Sequence, residues 1–426
     1  MYRLLKTRES DPVRVAMIGA GKFASMFLAQ VRTTPGMRVV GVCDLAPERA
    51  QATLRRSGWN DAEIAAIGLF PDADSVLGHG DPEVVVEATG DPVAGVRHAL
   101  ACIAAGRHVV MVNVEADVLA GPLLARRAAE AGTVYSLAYG DQPALIVELV
   151  DWARTCGFEV VCAGKGTKYL PAYHASTPDT VWQHYGITPE RAASGGMNAR
   201  MFNSFLDGTK SAIEMAAVAN ATGLRPASGG LRFPPCGSDD LAETLKPAGD
   251  GGTLPHAGTV EVVSSLQRDG SPVERDLRWG VYVTFAAPSD YAARCFEEYG
   301  VATDRSGRYA ALYRPAHLIG LELGISVASA ALRAEPTGAP ERFAADVVAV
   351  AKRDLREGEV LDGEGGATVW GRLMPAADAL AADALPIGLA AGAPLKRQGA
   401  AGGGGGRPGG GGARAGAGIR TRPGKG

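Results

Sequence analysis

The feature that most constrains this chain is a β-branched run, VRVAMI, that leads straight into Gly19-Ala20-Gly21-Lys22-Phe23-Ala24. In a G-x-G-x-x-A turn between a strand and a helix, the first glycine permits a tight turn. The second lets backbone approach a bound group, and the alanine lets the helix pack closely on the strand. Such a motif is weak alone and becomes specific through its setting. Here the setting is a rhythm of strands and helices. The strands read VRVAMI, RVVGVCD, EVVVEA, HVVMVN, TVYSLA and FEVVCA, with helical stretches such as 92–105 and 141–156 between them. Strands that alternate with helices build a parallel, doubly wound sheet covered on both faces. The sequence therefore predicts an α/β Rossmann domain over residues 11–164.

The helix after this turn directs its leading amides and the positive end of its dipole at the loop, which suits a dinucleotide pyrophosphate. Gly19, Ala20, Gly21, Lys22, Phe23 and Ala24 are thus the predicted phosphate-side residues. Asp44 ends the second strand, where an acid takes the adenosine ribose hydroxyls of NAD. Lys22, Arg38 and Arg49 are nearby cations that would suit a 2′-phosphate, so NAD(H) and NADP(H) both stay open. Two further strands end as Glu87-Ala88-Thr89-Gly90 and Val112-Asn113-Val114-Glu115. Strand C-termini face the cofactor crevice in open α/β sheets, so Ala88, Thr89, Gly90 and Asn113 are predicted on the nicotinamide side, with ordinary turn residues as the alternative.

Past residue 164 the rhythm changes. A polar, aromatic segment, KGTKYLPAYHASTPDTVWQHYG, precedes a predicted long helix over 198–222. The runs TVEVVSSLQRDG, DLRWGVYVTFA and RYAALYR then read as strands, and 317–332 as an apolar helix. Strands grouped with helices predict an α+β domain on an antiparallel sheet over 165–342. On one continuous helix Asn203, Asp207, Lys210 and Glu214 share one face, while Phe202, Phe205, Leu206, Ile213 and Met215 occupy the others. A charged stripe on a buried helix must pair internally or line a wet cleft, because unpaired buried charge is costly. In the cleft reading Lys210 is a proton donor or oxyanion stabiliser, and Asp207 and Glu214 orient it, act as base or hold a metal. A solvated stripe of ion pairs is the alternative. Lys165 and Lys168 follow the last predicted parallel strand, where the two domains join. A lysine there can polarise a substrate carbonyl, and Gly164 and Gly166 leave room beside Lys165. His174, alone in its loop, reads as a structural hydrogen-bonder rather than a catalyst.

From 343 to 398 the pattern, DVVAVAKRDLREGEVLDGEGG and onward, predicts a small β-rich module that stops abruptly at PLKRQ. Residues 399–426 hold no acid, no aromatic and no periodicity, which predicts a disordered Gly/Arg tail. That tail reads as the product of a shifted reading frame, or else as a basic segment touching nucleic acid. With 426 residues and a net charge of −3, the chain gives no global reason to expect nucleic acid or an anionic membrane as partner. No stretch has the length of a signal peptide's or membrane helix's apolar run. The six cysteines form no C-x-x-C pair, which predicts a reducing, cytoplasmic setting rather than a zinc or disulfide framework.

On AMIGAGKFASMF, VEATGDP, AGKGTKYLPAYHASTPDTVWQHYG, GGMNARMFNSFLDGTKSAIEMAAVANATG, DLRWGVYVTF and YRPAHLIGLELGISVASAALR, the chain resembles a known group. This is the homoserine-dehydrogenase-like oxidoreductases with a C-terminal SAF module, and within them the deoxyxylulose-phosphate-reductoisomerase-like (DXR-like, DRL) proteins. The resemblance spans 13–395. It implies a Rossmann domain, an α+β catalytic domain that also supports a homodimer or higher homo-oligomer, an SAF module, and NAD(P)(H)-dependent chemistry on a small-molecule substrate. It further implies the conversion of deoxyxylulose 5-phosphate to methylerythritol 4-phosphate for one branch, with a divalent metal (Mg²⁺ or Mn²⁺) on the substrate oxygens. The chain departs from homoserine dehydrogenases at Asn113-Val114, where they carry Asn-Lys, which argues against homoserine. Plain dehydrogenase chemistry on a sugar, polyol or sugar phosphate, the metal-dependent reductoisomerase reaction and a non-catalytic NAD(P)-binding sensor are the competing readings.

Overall fold

The computed structural model describes residues 1–395 and 400–401. The readings of the Gly/Arg tail and of the end of the small module lie outside the described residues. The described residues divide into two compact units, Met1–Asp151 with Ala316–Arg342, and Trp152–Pro315 with the described residues from Phe343 on. Among the described residues no helix is long and apolar enough to cross a membrane.

In the first unit β1 (Val13–Ile18), β2 (Met37–Cys43), β3 (Gly68–Phe70), β4 (Val84–Glu87), β5 (His108–Met111) and β6 (Tyr135–Leu137) form one sheet in the order β3-β2-β1-β4-β5-β6. All its pairings are parallel. The order reverses between β1 and β4, and a doubly wound sheet opens its ligand crevice there. Near-continuous Val, Ile and Met runs suit strands covered on both faces. On one face Val13, Val15 and Met17 meet Phe27 and Leu28 of the helix Lys22–Val31. On the other, Ile18, Val85, Val109 and Met111 meet Cys102, Ile103 and Leu124. Each such side chain, fully buried, contributes about 1.5–3 kcal/mol.

Two expectations about this unit are corrected. FEVVCA is not its sixth strand; GLF, at three residues too short to stand out in the sequence, forms β3 at the edge beside β2. The edge of β6 is closed by a returning segment, with the Leu137 amide donating to Gly338 O at 2.7 Å, so no further strand can pair there. The apolar stretch 317–332 also belongs to this unit. Its helix begins only at Gly324, runs to Arg333, and buries Val327, Ala328 and Ala330 against the sheet.

In the second unit β7 (Glu159–Thr167), β8 (Thr259–Ser264), β9 (Val281–Ala286) and β10 (Tyr309–Arg314) form a mixed sheet in the order β10-β9-β7-β8. β7, which carries FEVVCA, runs antiparallel to β9 and parallel to β8. The expected domain boundary after residue 164 thus falls inside a central strand. The expected long helix is also two helices. Ala199–Leu206 ends at Asp207, Gly208 adopts φ +88°, and the central helix Thr209–Thr222 begins anew. The left-handed residue redirects the chain, so Asn203, Asp207, Lys210 and Glu214 do not form one stripe on one helix. The small module supplies β11 (Ala345–Ala351) and β12 (Val369–Pro375), an antiparallel pair within this same unit rather than a separate body. It packs on the central helix: Asn220 Oδ1 accepts the Ala344 and Ala345 amides, and Thr209 Oγ1 accepts the Gly371 amide at 2.8 Å.

Lys352, just past β11, fastens this pair to the helix break. Its ammonium donates to Asp207 Oδ2 at 2.7 Å, to Ser176 O at 2.6 Å and to Gly366 O at 2.7 Å. Both side chains of the ion pair are at most 2% exposed. Removing one member of such a pair leaves a buried charge unanswered. Lys352→Met is expected to destabilise the protein by about 3–5 kcal/mol, read by urea unfolding. The double variant Lys352→Met/Asp207→Asn should recover part of that loss, and unchanged stability in the single variant would contradict the assignment.

Candidate active site and cofactor turn

Beyond β1, Gly19 sits at φ +100° with its amide donating to Cys43 O at 2.8 Å. A Cβ on Gly19 would lie 2.7 Å from Ala88 O, so only glycine fits. Gly21 is different: it is exposed, and a Cβ there would meet no atom within 4 Å. Gly21 is the N-cap of the helix Lys22–Val31. That helix has no side-chain cap and no acid in its first turn. Its leading amides are therefore unanswered by side chains, which is the condition for holding a phosphate. Ala24 is fully buried.

The other residues predicted at this end divide in function. The Ala20 amide is taken by Asp44 Oδ2 at 3.0 Å, and Ala20 O accepts from Thr53 Oγ1 at 2.9 Å, so Ala20 braces the turn. Asp44 is 4% exposed, accepts the Ala46 amide as well, and pairs with Arg49 at 2.6 Å. Asn113 is buried as the cap of the helix Val114–Glu130, its Oδ1 accepting the Ala116 amide and its Nδ2 donating to Asp91 O at 2.8 Å. Gly95 allows that closeness, since a Cβ there would lie 2.7 Å from Asn113 Nδ2. Thr89 and Gly90 are exposed, at the carboxyl end of β4.

In the second unit Lys165 on β7 and Glu214 on the central helix form a buried ion pair, with both side chains at most 6% exposed. The glycines beside Lys165 serve the sheet and not a ligand. A Cβ on Gly164 would collide with Glu261 O, and one on Gly166 with Leu277 O, each within 2 Å. Every residue of the central helix is buried except Lys210, which is half-buried and lies one turn before Glu214. Lys168 donates to His184 O and lies over the Tyr185 ring at 5.3 Å. Burial and the nearby Arg278 lower its pKa.

Asp207 is withdrawn from this group. Its carboxylate holds the Lys352 ammonium and the Thr209 amide. Burial pushes its pKa up, and those partners oppose the shift. His174 belongs to the same knot. Its Nδ1 lies 2.7 Å from Asp207 O, which can only accept, so Nδ1 carries the proton; Nε2 then accepts from Tyr169 Oη at 2.9 Å. Burial lowers the imidazole pKa to about 4, which keeps it neutral at pH 7. Its ring stacks on Trp370 at 3.8 Å. Sequence reasoning passed over Lys352 and Tyr169. The only signal for Lys352 was a lysine closing an apolar run, in AVAKRD.

Residues 13–112 match the family model of the NAD-binding Rossmann fold of an oxidoreductase family (GFO/IDH/MocA), and residues 140–323 match that of the oxidoreductase DRL catalytic domain. The first match holds the Gly19–Ala24 turn, Asp44 and Thr89. The second holds Lys165, Asp207, Lys210 and Glu214. These two matches set an oxidoreductase-family NAD-binding domain before an oxidoreductase DRL catalytic domain in one chain. The chain is 35% identical over 191 residues to the 1-deoxy-D-xylulose 5-phosphate reductoisomerase of Anaeromyxobacter dehalogenans strain 2CP-1, covering 43% of this chain and 44% of that one. It is 37% identical over 129 residues to the protein of that name from Anaeromyxobacter sp. strain K, covering 29% and 30%. The chain thus spans less than half the length of these relatives. Among solved structures, the WlbA dehydrogenase of Bordetella pertussis in complex with NADH and UDP-GlcNAcA is similar over 37% of this chain and 47% of that one, with 21% identity and a TM-score of 0.29. A score this low carries neither fold nor function across.

The open side of Gly21 gives a direct test of the turn. Gly21→Val is expected to fold with an unchanged melting temperature, because its side chain enters empty space. It should also weaken NADH and NADPH binding at least about tenfold, since that space is needed by the pyrophosphate. Full affinity in this variant would contradict the assignment.

Proposed function

We propose that the protein transfers hydride between NAD(P)(H) and the carbonyl or hydroxyl carbon of a small polar substrate, a sugar or sugar phosphate, with Lys210 as the proton donor to the substrate oxygen. The observation that carries this reading is the placement of Lys210. On a helix buried everywhere else, it is the one residue that is only partly buried, and it lies one turn from the buried Glu214–Lys165 pair.

The residues at the cofactor turn fit a dinucleotide: a glycine with open space beside it, and a helix start with no competing cap. The bound coenzyme supplies or accepts the hydride. The leading amides of Lys22 and Phe23 would hold its pyrophosphate, and Thr89 and Gly90 would border its nicotinamide half. In the reductive direction, negative charge develops on the substrate oxygen as hydride arrives. An ammonium at that oxygen stabilises the charge and gives up a proton. Lys210, only partly buried, is the residue of the central helix assigned this role. Lys168, held to His184 O, is assigned a positioning role in the loop after β7.

A second reading is a reductoisomerase reaction on deoxyxylulose 5-phosphate, favoured by the partial identity to two proteins of that name. It calls for a divalent cation on the substrate oxygens. Asp207 and Glu214 do not fit that cation, since each carboxylate is already held by a lysine. No step is assigned to a metal on them.

Lys210→Ala is expected to lower turnover at least about a hundredfold while leaving coenzyme affinity within about twofold. The assay is coenzyme absorbance at 340 nm with a panel of keto-sugars and their phosphates, deoxyxylulose 5-phosphate included. A variant that turns over normally would overturn the role of Lys210. A protein that binds coenzyme but oxidises and reduces nothing in the panel would favour the sensor reading.

A further inference from the structure

At the carboxyl end of β4 lies a buried polar group that the proposed chemistry does not use. Glu87 is fully buried. Its Oε1 accepts from Thr89 Oγ1 at 2.5 Å and lies 3.0 Å from His98 Nδ1, while its Oε2 has no partner. A carboxylate only accepts, so the Thr89 hydroxyl hydrogen and the His98 Nδ1 hydrogen both point at Glu87. The side-chain amide of Asn113 approaches the Thr89 oxygen weakly, at 3.4 Å.

The consequence falls on Thr89. A free hydroxyl turns to suit donor or acceptor alike. This one has spent its only hydrogen, so it can present nothing but lone pairs. Thr89 is exposed, and its backbone borders the phosphate turn: a Cβ on Gly19 would lie 2.7 Å from Ala88 O and 3.1 Å from Thr89 N.

We propose that Glu87, backed by His98, is a positioning residue that fixes Thr89 as an obligate hydrogen-bond acceptor for a donor on the nicotinamide half of the coenzyme, its ribose hydroxyl or its ring carboxamide. This rests on the coenzyme reading above and adds a reason for a buried glutamate under an exposed threonine. Without Glu87 the hydroxyl is free to rotate and the selection is lost.

The test compares NADH and NADPH with ADP, which has the diphosphate but no nicotinamide, by calorimetric titration of the full chain. Thr89→Val and Glu87→Leu are each expected to weaken dinucleotide binding about tenfold, the worth of one hydrogen bond. The double variant should lose no more than either single one, because both remove the same contact. Thr89→Ser and Glu87→Gln keep the hydroxyl and the accepting oxygen respectively, and should stay within about threefold of the unaltered protein. ADP affinity should be unchanged throughout. Equal losses of ADP and dinucleotide in Glu87→Leu would overturn the proposal, since the glutamate would then be structural only. If Glu87→Leu does not fold, Thr89→Val against Thr89→Ser decides, and equal affinity in those two overturns it. Unaltered protein that binds the coenzymes, with all variants alike, defeats this inference alone. Unaltered protein that binds neither coenzyme defeats the coenzyme reading as well.

Discussion

The helix Lys22–Val31 starts without a cap, and the function assigned to the first unit follows from that. A helix that begins in a folded protein has several amides with no partner inside the helix, and a side chain usually answers one of them. Elsewhere in this unit Asn60, Asp72, Asp91 and Asn113 each cap the helix that follows them, while the helices that begin at Tyr2, Pro47 and Gly324 start, like this one, without a side-chain cap. At Gly21 no side chain answers the leading amides. The neighbouring residues keep the end open. Asp44 is drawn onto the Ala20 amide and Arg49, one residue short of the helix, and Gly19 holds the turn against Ala88 where no side chain would fit. The dipole of that helix then favours an anion at its mouth. The parallel sheet around it sets the mouth at the point where the strand order reverses.

The second unit meets the opposite requirement. Its central helix is buried between the β7–β8 side of the mixed sheet and the β11–β12 pair, so each polar group on it needs an internal answer. Thr209 answers the Gly371 amide, Asn220 the Ala344 and Ala345 amides, and Glu214 the Lys165 ammonium. The break before it is held by Lys352 on Asp207. These contacts are specific in geometry and make the C-terminal strands part of the unit. They also separate the charged residues by role. Asp207 and Lys352 are spent on structure, and Lys210 is the one residue of this helix that is not fully buried.

How far this was legible in the sequence depended on the range of the cause. Gly19, Gly21 and Ala24 act through the backbone of their own turn, and the strands of β1, β2, β4, β5 and β6 stand out as β-branched runs. β7 misled because a strand buried on both faces reads alike in a parallel sheet and in the middle of a mixed one. Its true partners, β8 and β9, lie about a hundred residues on. The break in the long helix did carry a local sign, the Asp207-Gly208 pair, since Asp-Gly marks turns. The apolar periodicity across it outweighed that sign. Lys352 had no local sign: its carboxylate partner lies 145 residues away. The same holds for Glu87 and His98, 11 residues apart, whose pairing depends on how the helix Pro92–Ala104 lies beside the end of β4.

The claim on which the whole account stands is that the uncapped start of the helix Lys22–Val31 holds a dinucleotide pyrophosphate. Calorimetric titration of the purified chain with NADH and with NADPH, each repeated in the presence of ADP-ribose, measures it directly. Saturable binding of one coenzyme per chain, displaced by ADP-ribose, is the result the account requires. No saturable heat with either coenzyme, or binding that ADP-ribose leaves untouched, would contradict it.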